Sequence, residues 1–147
     1  TPMVKQSMEH FFKTREEASV AAAEAIAERL AARLDAQSGA SVVVSGGTTP
    51  ARCFQELAHL EVEWDRVNVL ASDDRWVPAD HADSNENLIR NTLLINGASI
   101  AGLLPFFKAD TPIELRCDEL DQEIRFMPFP FACSLMGMGA TQTSGWR

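Results

Sequence analysis

Residues 41–45 read "SVVVS", a run too short for a helix and apolar on both alternations of its central side chains. Successive side chains of a strand point to opposite faces, so valine on both faces calls for cover on both. That requirement removes the one-sided antiparallel sheet and leaves a sheet with helices above and below. Two more segments read as strands, "RVNVLAS" at 66–72 and "FACSLMGMG" at 131–139.

Helical patterns fill the intervals. In "TREEASVAAAEAIAERLAARLDAQSG", Thr14 and Glu17 have capping-box spacing, and Ala18, Ala22, Ile26, Leu30 and Leu34 make an apolar stripe, with Gly39 as the exit. Thr49 before Pro50 reads as an N-cap with proline at the first helical position, opening a helix to about Leu60. Asp83 and Glu86 repeat the capping-box spacing ahead of "SNENLIRNTLL", and Thr111, Pro112 and Glu114 open a helix to about Arg125. "NGASIAG" reads as irregular. The order helix, strand, helix, strand, helix, helix, strand predicts an α/β fold, a parallel sheet with helices on both faces. No repeat, linker or boundary divides residues 1–147, so one domain is expected.

At 147 residues and 46% apolar content the chain can bury a sizeable core. A formal net charge of -8 argues against nucleic acid or an anionic membrane as the main partner, but leaves room for a small anion met by local donors. "TPMVKQSMEHFF" has no apolar h-region, so no secretory leader is expected there, and no window reaches membrane-span length. Cys53, Cys117 and Cys133 lack C-x-x-C spacing; they read as reduced, mostly buried thiols of a cytoplasmic protein.

Ligands of open parallel sheets bind beyond the carboxyl ends of the strands. All three strand candidates end there in unusual loops: "SGGTTP", "SDDRWVP" and "MGMG". In the first, Gly46 and Gly47 let backbone amides approach an anion. Thr48 and Thr49 add hydroxyls, and the next helix aims its N-terminus at the same place. Phosphate binding and a plain turn with a capped helix stand level on these residues alone. The second loop offers Arg75 for a phosphate or a developing oxyanion, with Asp73 and Asp74 beside it; a solvated Asp–Arg ion pair is the plainer reading. Trp76 and Val77 read as packed beneath the loop. His81 is a weak candidate for a base, Asn85 a ligand or brace, and Asp83 or Ser84 an N-cap. His10 and His59 lack partners at metal-ligand spacing, so no metal is expected. Phe106, Phe107, Phe126, Phe129 and Phe131 read as core.

Taken together and in order, "SGGTTP", "SDDRWVP" followed by "DSNENLIRNTLL", and "LMGMG" resemble the 6-phosphogluconolactonase family. The resemblance implies a Rossmann-like sheet, hydrolysis of the cyclic ester of 6-phosphogluconate, and no metal or organic cofactor. It implies that Gly46, Gly47, Thr48 and Thr49 cradle the sugar phosphate, that Asp73 and Arg75 line the site, and that Asn85 braces the loop. Gly137 and Gly139 complete it from the third strand. Asp74 stands where the family has glutamate. The related deaminases carry D-E-Y where this chain has Asp73, Asp74 and Arg75.

The resemblance stops after Gly139. The family continues D-G-H-x-x-S; this chain reads "ATQTSGWR". The histidine expected as general base is absent, as are further C-terminal strands and helices, so the sheet is expected to be incomplete. An omitted segment, a frameshifted tail and a fragment all account for that break. The alternatives to a lactone hydrolase are a non-catalytic sugar-phosphate-binding remnant and a glucosamine-6-phosphate deaminase-like enzyme.

Overall fold

The computed structural model describes residues 9–47, 49–127 and 130–133, the last four by their backbone. The first helix, α1 (Arg15–Ala36), leads to β1 (Ala40–Val44) and α2 (Thr49–Leu57). A 3-10 turn at Trp64–Arg66 leads into β2 (Val67–Ala71), then α3 (Asn85–Thr92), a second 3-10 turn (Asn96–Ile100) and β3 (Gly102–Leu103). Helix α4 (Ile113–Arg125) precedes β4 (Pro130–Cys133).

All strands run parallel in the order β3-β2-β1-β4. The chain leaves β1 toward β2 and β3, then crosses back to place β4 on the other side of β1. That reversal makes the carboxyl end of β1 a topological switch point, where adjoining loops part and leave a crevice. Val44 pairs with both Ala71 and Cys133, so these three strands end level. The Ser72 amide then donates to the Val44 carbonyl at 2.8 Å, holding the start of the second loop against the end of β1.

The valine run of β1 divides its side chains as expected. Ala40, Val42 and Val44 join Val67, Val69 and Ala71 in the main core, with Ile26, Leu30 and Leu34 of α1, Phe54 and Leu57 of α2, and Ile89 of α3. Ser41 and Leu70, on the opposite face, are also buried. Near that face Arg116 and Glu123 of α4 share a cleft with Asn68 of β2. Burying apolar surface on this scale is the main favourable term, at roughly 25 cal/mol per Å².

The inward stripe of α1 is Ser19, Ala23, Ile26, Leu30 and Leu34, so Ala18 and Ala22 are only half-buried, contrary to the four-residue spacing expected. A helix turns once in 3.6 residues, and an unbroken spacing of four drifts off one face; the step of three from Ala23 to Ile26 restores it. At the start, Thr14 Oγ1 accepts from the Glu17 amide, while the Glu17 carboxylate accepts from Lys13 rather than Thr14. The exit is not made by Gly39. The helix stops at Ala36, and Arg66 takes over its end. Arg66 Nη2 donates to the carbonyls of Leu34 and Gln37 at 2.8 Å each, and Nε donates to Ser38 at 3.0 Å. A cation at a helix C-terminus also opposes the helix dipole. Arg52 of α2 pairs with Glu16 of α1 and with Glu56, and both carboxylates raise its pKa.

Other expectations shift. Helix α2 begins at Thr49 itself and ends at Leu57, three residues before Leu60. Thr111 does not cap α4: its hydroxyl donates to Ala109, and Pro112 occupies the cap position. "NGASIAG" is ordered as the second 3-10 turn and supplies the start of β3. Phe106 packs on the core, but Phe126 is 89% exposed, and Cys117 is exposed while Cys53 is buried. The side chains of Phe129, Phe131 and Cys133 lie outside what is described. Among the described residues no helix is long and apolar enough to cross a membrane.

Candidate functional site

The loops after β1 and β2 emerge side by side at the switch point, and one side chain joins them. Asn85, the first residue of α3, donates from Nδ2 to the Asp73 carbonyl at 2.9 Å. The same side chain lies against the Cα of Gly46. A Cβ built on Gly46 would sit 2.2 Å from Asn85 Oδ1 and 2.3 Å from its Cγ. Gly46 is therefore a glycine because there is no space for anything larger. Gly47 is a glycine for a different reason: its φ is +99°, and nothing lies within 4 Å of a Cβ there. One glycine admits a neighbouring side chain; the next turns the backbone.

The second loop is held by Asp74, in a way the sequence does not announce. Asp74 Oδ1 accepts from the amides of Arg75 (2.8 Å) and Asn85 (2.7 Å), and Oδ2 accepts from Glu86 (3.1 Å). The N-cap of α3 is Ser84, whose hydroxyl accepts from Asn87 at 3.1 Å; the Asp83–Glu86 capping box does not form. Buried Glu86 pairs instead with Arg90 at 2.9 Å. The first amides of α3 are thus occupied from within the protein. This helix start is closed to an outside anion, whereas Gly46 and Gly47 spend no amide on an acceptor among the described residues.

Arg75 is exposed, and its Nη1 donates to the Asp83 carbonyl at 3.0 Å. It makes no ion pair with Asp73 or Asp74, so the loop is not the simple charged turn that its sequence allows. Among the described residues its guanidinium makes no further hydrogen bond. The Asp73 carboxylate is exposed and, among the described residues, accepts only from the Ser72 hydroxyl, at 3.3 Å. Trp76 is not packed beneath the loop: it is 40% exposed and meets Phe107 edge-on at 4.8 Å between ring centroids.

His81 Nδ1 accepts from the Asp83 amide at 3.0 Å. A neutral imidazole in that arrangement carries its proton on Nε2, so its outward nitrogen is a donor and not a base. Thr48, Gly137 and Gly139, expected in the site, lie outside the described residues. Thr49 is half-buried at the start of α2.

A family model described as glucosamine-6-phosphate isomerases/6-phosphogluconolactonase matches residues 13–141. The chain belongs to this family. A 6-phosphogluconolactonase of Mesorhizobium japonicum is 35% identical over 87% of this chain and 54% of its own length. One from Pseudomonas aeruginosa is 36% identical over 78% of this chain and 48% of its own. The crystal structure of a 6-phosphogluconolactonase from Shewanella baltica superposes with a TM-score of 0.79 at 37% identity, covering 87% of this chain and 55% of that one. The chain spans about half the length of the relatives it matches. Within the glucosamine-6-phosphate isomerase/6-phosphogluconolactonase family, then, this chain has the α/β fold expected, and both loops described above fall inside the matched residues.

Proposed function

We propose that these residues form one α/β domain, the N-terminal portion of a 6-phosphogluconolactonase, and that its reaction is hydrolysis of 6-phosphogluconolactone to 6-phosphogluconate. The reading rests on Asn85, which seats on Gly46 while holding Asp73 and so makes the glycine loop and the Asp-Arg loop one surface. Support comes also from the 6-phosphogluconolactonases that match at 35% identity or above. Arg75 stands where the deaminases carry tyrosine, which weighs against the glucosamine-6-phosphate reading.

On this account the amides of Gly46 and Gly47 and the hydroxyls of Thr48 and Thr49 take the phosphate, with the N-terminus of α2 behind them. Arg75 contributes a fixed positive charge, Asp73 lines the mouth, and Gly137 and Gly139 belong to the same proposed site. Water adds to the lactone carbonyl and gives up a proton to a base; the ring C–O bond then breaks and its oxygen is protonated. The substrate is a small sugar phosphate rather than nucleic acid. Cytoplasmic residence belongs to the same reading, which expects reduced thiols at Cys53 and Cys117.

The position of His81 favours a second reading for the chain by itself. His81 offers a donor rather than a base, and in this reading these residues bind the sugar phosphate without turnover. One experiment separates the two. Purified protein is assayed on freshly generated 6-phosphogluconolactone, corrected for spontaneous hydrolysis. A rate above background supports the hydrolase. Background rate with calorimetric binding of 6-phosphogluconate, at a Kd between about 1 μM and about 1 mM, supports the binding reading. Neither rate nor binding overturns both.

A further inference from the structure

His81, Asp83 and Arg75 form a relay. His81 Nδ1 accepts from the Asp83 amide at 3.0 Å, and the carbonyl of the same Asp83 accepts from Arg75 Nη1 at 3.0 Å. The loop is otherwise pinned on either side. The His81 amide donates to Pro78 and the Ser84 amide to His81, each at 3.0 Å. Among the described residues between Pro78 and Ser84, Asp83 is the one whose amide is bound by a titratable side chain.

We infer that His81 is a positioning residue, whose neutral form fixes Asp83 and through it the guanidinium of Arg75. The inference rests on the reading that Arg75 meets the sugar phosphate. An imidazolium donates from both nitrogens and cannot accept the Asp83 amide. On protonation the bond is lost, and the nearest new partner is the Asp83 carboxylate, 4.0 Å from Nδ1. Turning Nδ1 from the amide to the carboxylate moves Asp83, and with it the carbonyl that holds Arg75.

Several charged residues stand close to His81 in the chain. Asp73, Asp74, Arg75, Asp80 and Asp83 share its loop, and Glu86 and Arg90 stand on the helix that follows. Asp74 is committed to three backbone amides and Glu86 to Arg90. Among the described residues only Asp83 is within ion-pair distance of His81.

The test uses the whole chain and two variants. Asparagine at this position presents an uncharged Oδ1 about where Nδ1 stands, so His81→Asn keeps the acceptor at every pH. His81→Leu removes it. In the free protein, the NMR signals of the Asp83 amide and the Arg75 guanidinium are followed from about pH 8 to about pH 5, beside those of His81. They should move together with the imidazole in the wild type and stay still in His81→Asn. Calorimetry with 6-phosphogluconate adds the functional arm. Losing one positioning hydrogen bond corresponds to about threefold to tenfold in affinity. His81→Leu should bind weaker than His81→Asn by that factor at about pH 8, and the wild type should fall from one toward the other as pH is lowered. Arg75 signals indifferent to the imidazole, or a wild-type pH profile retained in His81→Asn, overturn the inference. If 6-phosphogluconate does not bind at all, the proposed function fails, and the NMR arm still decides the relay.

Discussion

Replacing Gly46 with alanine isolates the contact on which the candidate site is built. Gly46 does not occupy the left-handed region, so alanine meets no backbone penalty there; the whole effect is the space its methyl needs. That methyl would lie 2.2–2.5 Å from three atoms of the Asn85 amide. Real Cβ contacts begin beyond 3 Å or so, so Asn85 must swing away and surrender its 2.9 Å bond to the Asp73 carbonyl. The lost bond costs about 0.5–1.5 kcal/mol, and the strained repacking brings the total to about 2 kcal/mol. Asn85→Ala alone loses the bond and should cost about 1 kcal/mol. In the double variant the clash has gone, so its cost should match that of Asn85→Ala, not the sum. Urea unfolding of the four proteins gives the cycle, with a coupling of about 2 kcal/mol expected. Calorimetry with 6-phosphogluconate should show weakened binding in all three variants, because relieving the clash does not rebuild the brace. Additive stabilities, or a Gly46→Ala protein as stable as the wild type, would refute the argument that this glycine makes room for Asn85.

Arg75→Ala should weaken 6-phosphogluconate binding by about tenfold to a hundredfold, as expected for a charge-assisted contact, with little change in the urea midpoint. Asp74→Ala strands the amides of Arg75, Asn85 and Glu86 and should cost about 2–3 kcal/mol; Asp74→Asn, which keeps one acceptor oxygen, should cost less in the same unfolding experiment. Arg66→Ala uncaps α1, and hydrogen exchange should accelerate across residues 34–39 while the middle of the helix stays protected.

The strands were legible because their signal is local. Three valines in succession leave β1 little choice, and Val67, Val69 and Leu70 mark β2 in the same way. Helix α1 announced itself by length and by Thr14. What the sequence hid is long-range. Strand β3 has two residues, too short for any periodicity, and exists because Asn68 and Val69 offer it a ladder. The end of α1 is set by Arg66, whose three carbonyl partners lie 28 to 32 positions away. Gly39, the local signal, is not used. The loop residues of the candidate site were picked out by type, but their division of labour was not. Asp74 reads as an arginine's partner and is the acceptor for a helix start. Asn85 reads as a brace, and only the structure shows what it braces. His81 was weighed as a base, and its tautomer makes it a donor. No pattern within the loop carries that information, because the Asp83 amide that fixes the tautomer depends on how the turn closes.

The central claim is that a sugar phosphate is gripped at the carboxyl ends of the strands. The most direct measurement is amide and guanidinium NMR of the full chain titrated with 6-phosphogluconate. The signals of Gly46, Gly47 and Arg75 should move together and saturate with one affinity, while those of α3's first amides, already occupied by Asp74 and Ser84, move less. Saturable shifts confined to the opposite end of the sheet, around His59, Trp64 and Asn96, would contradict the account.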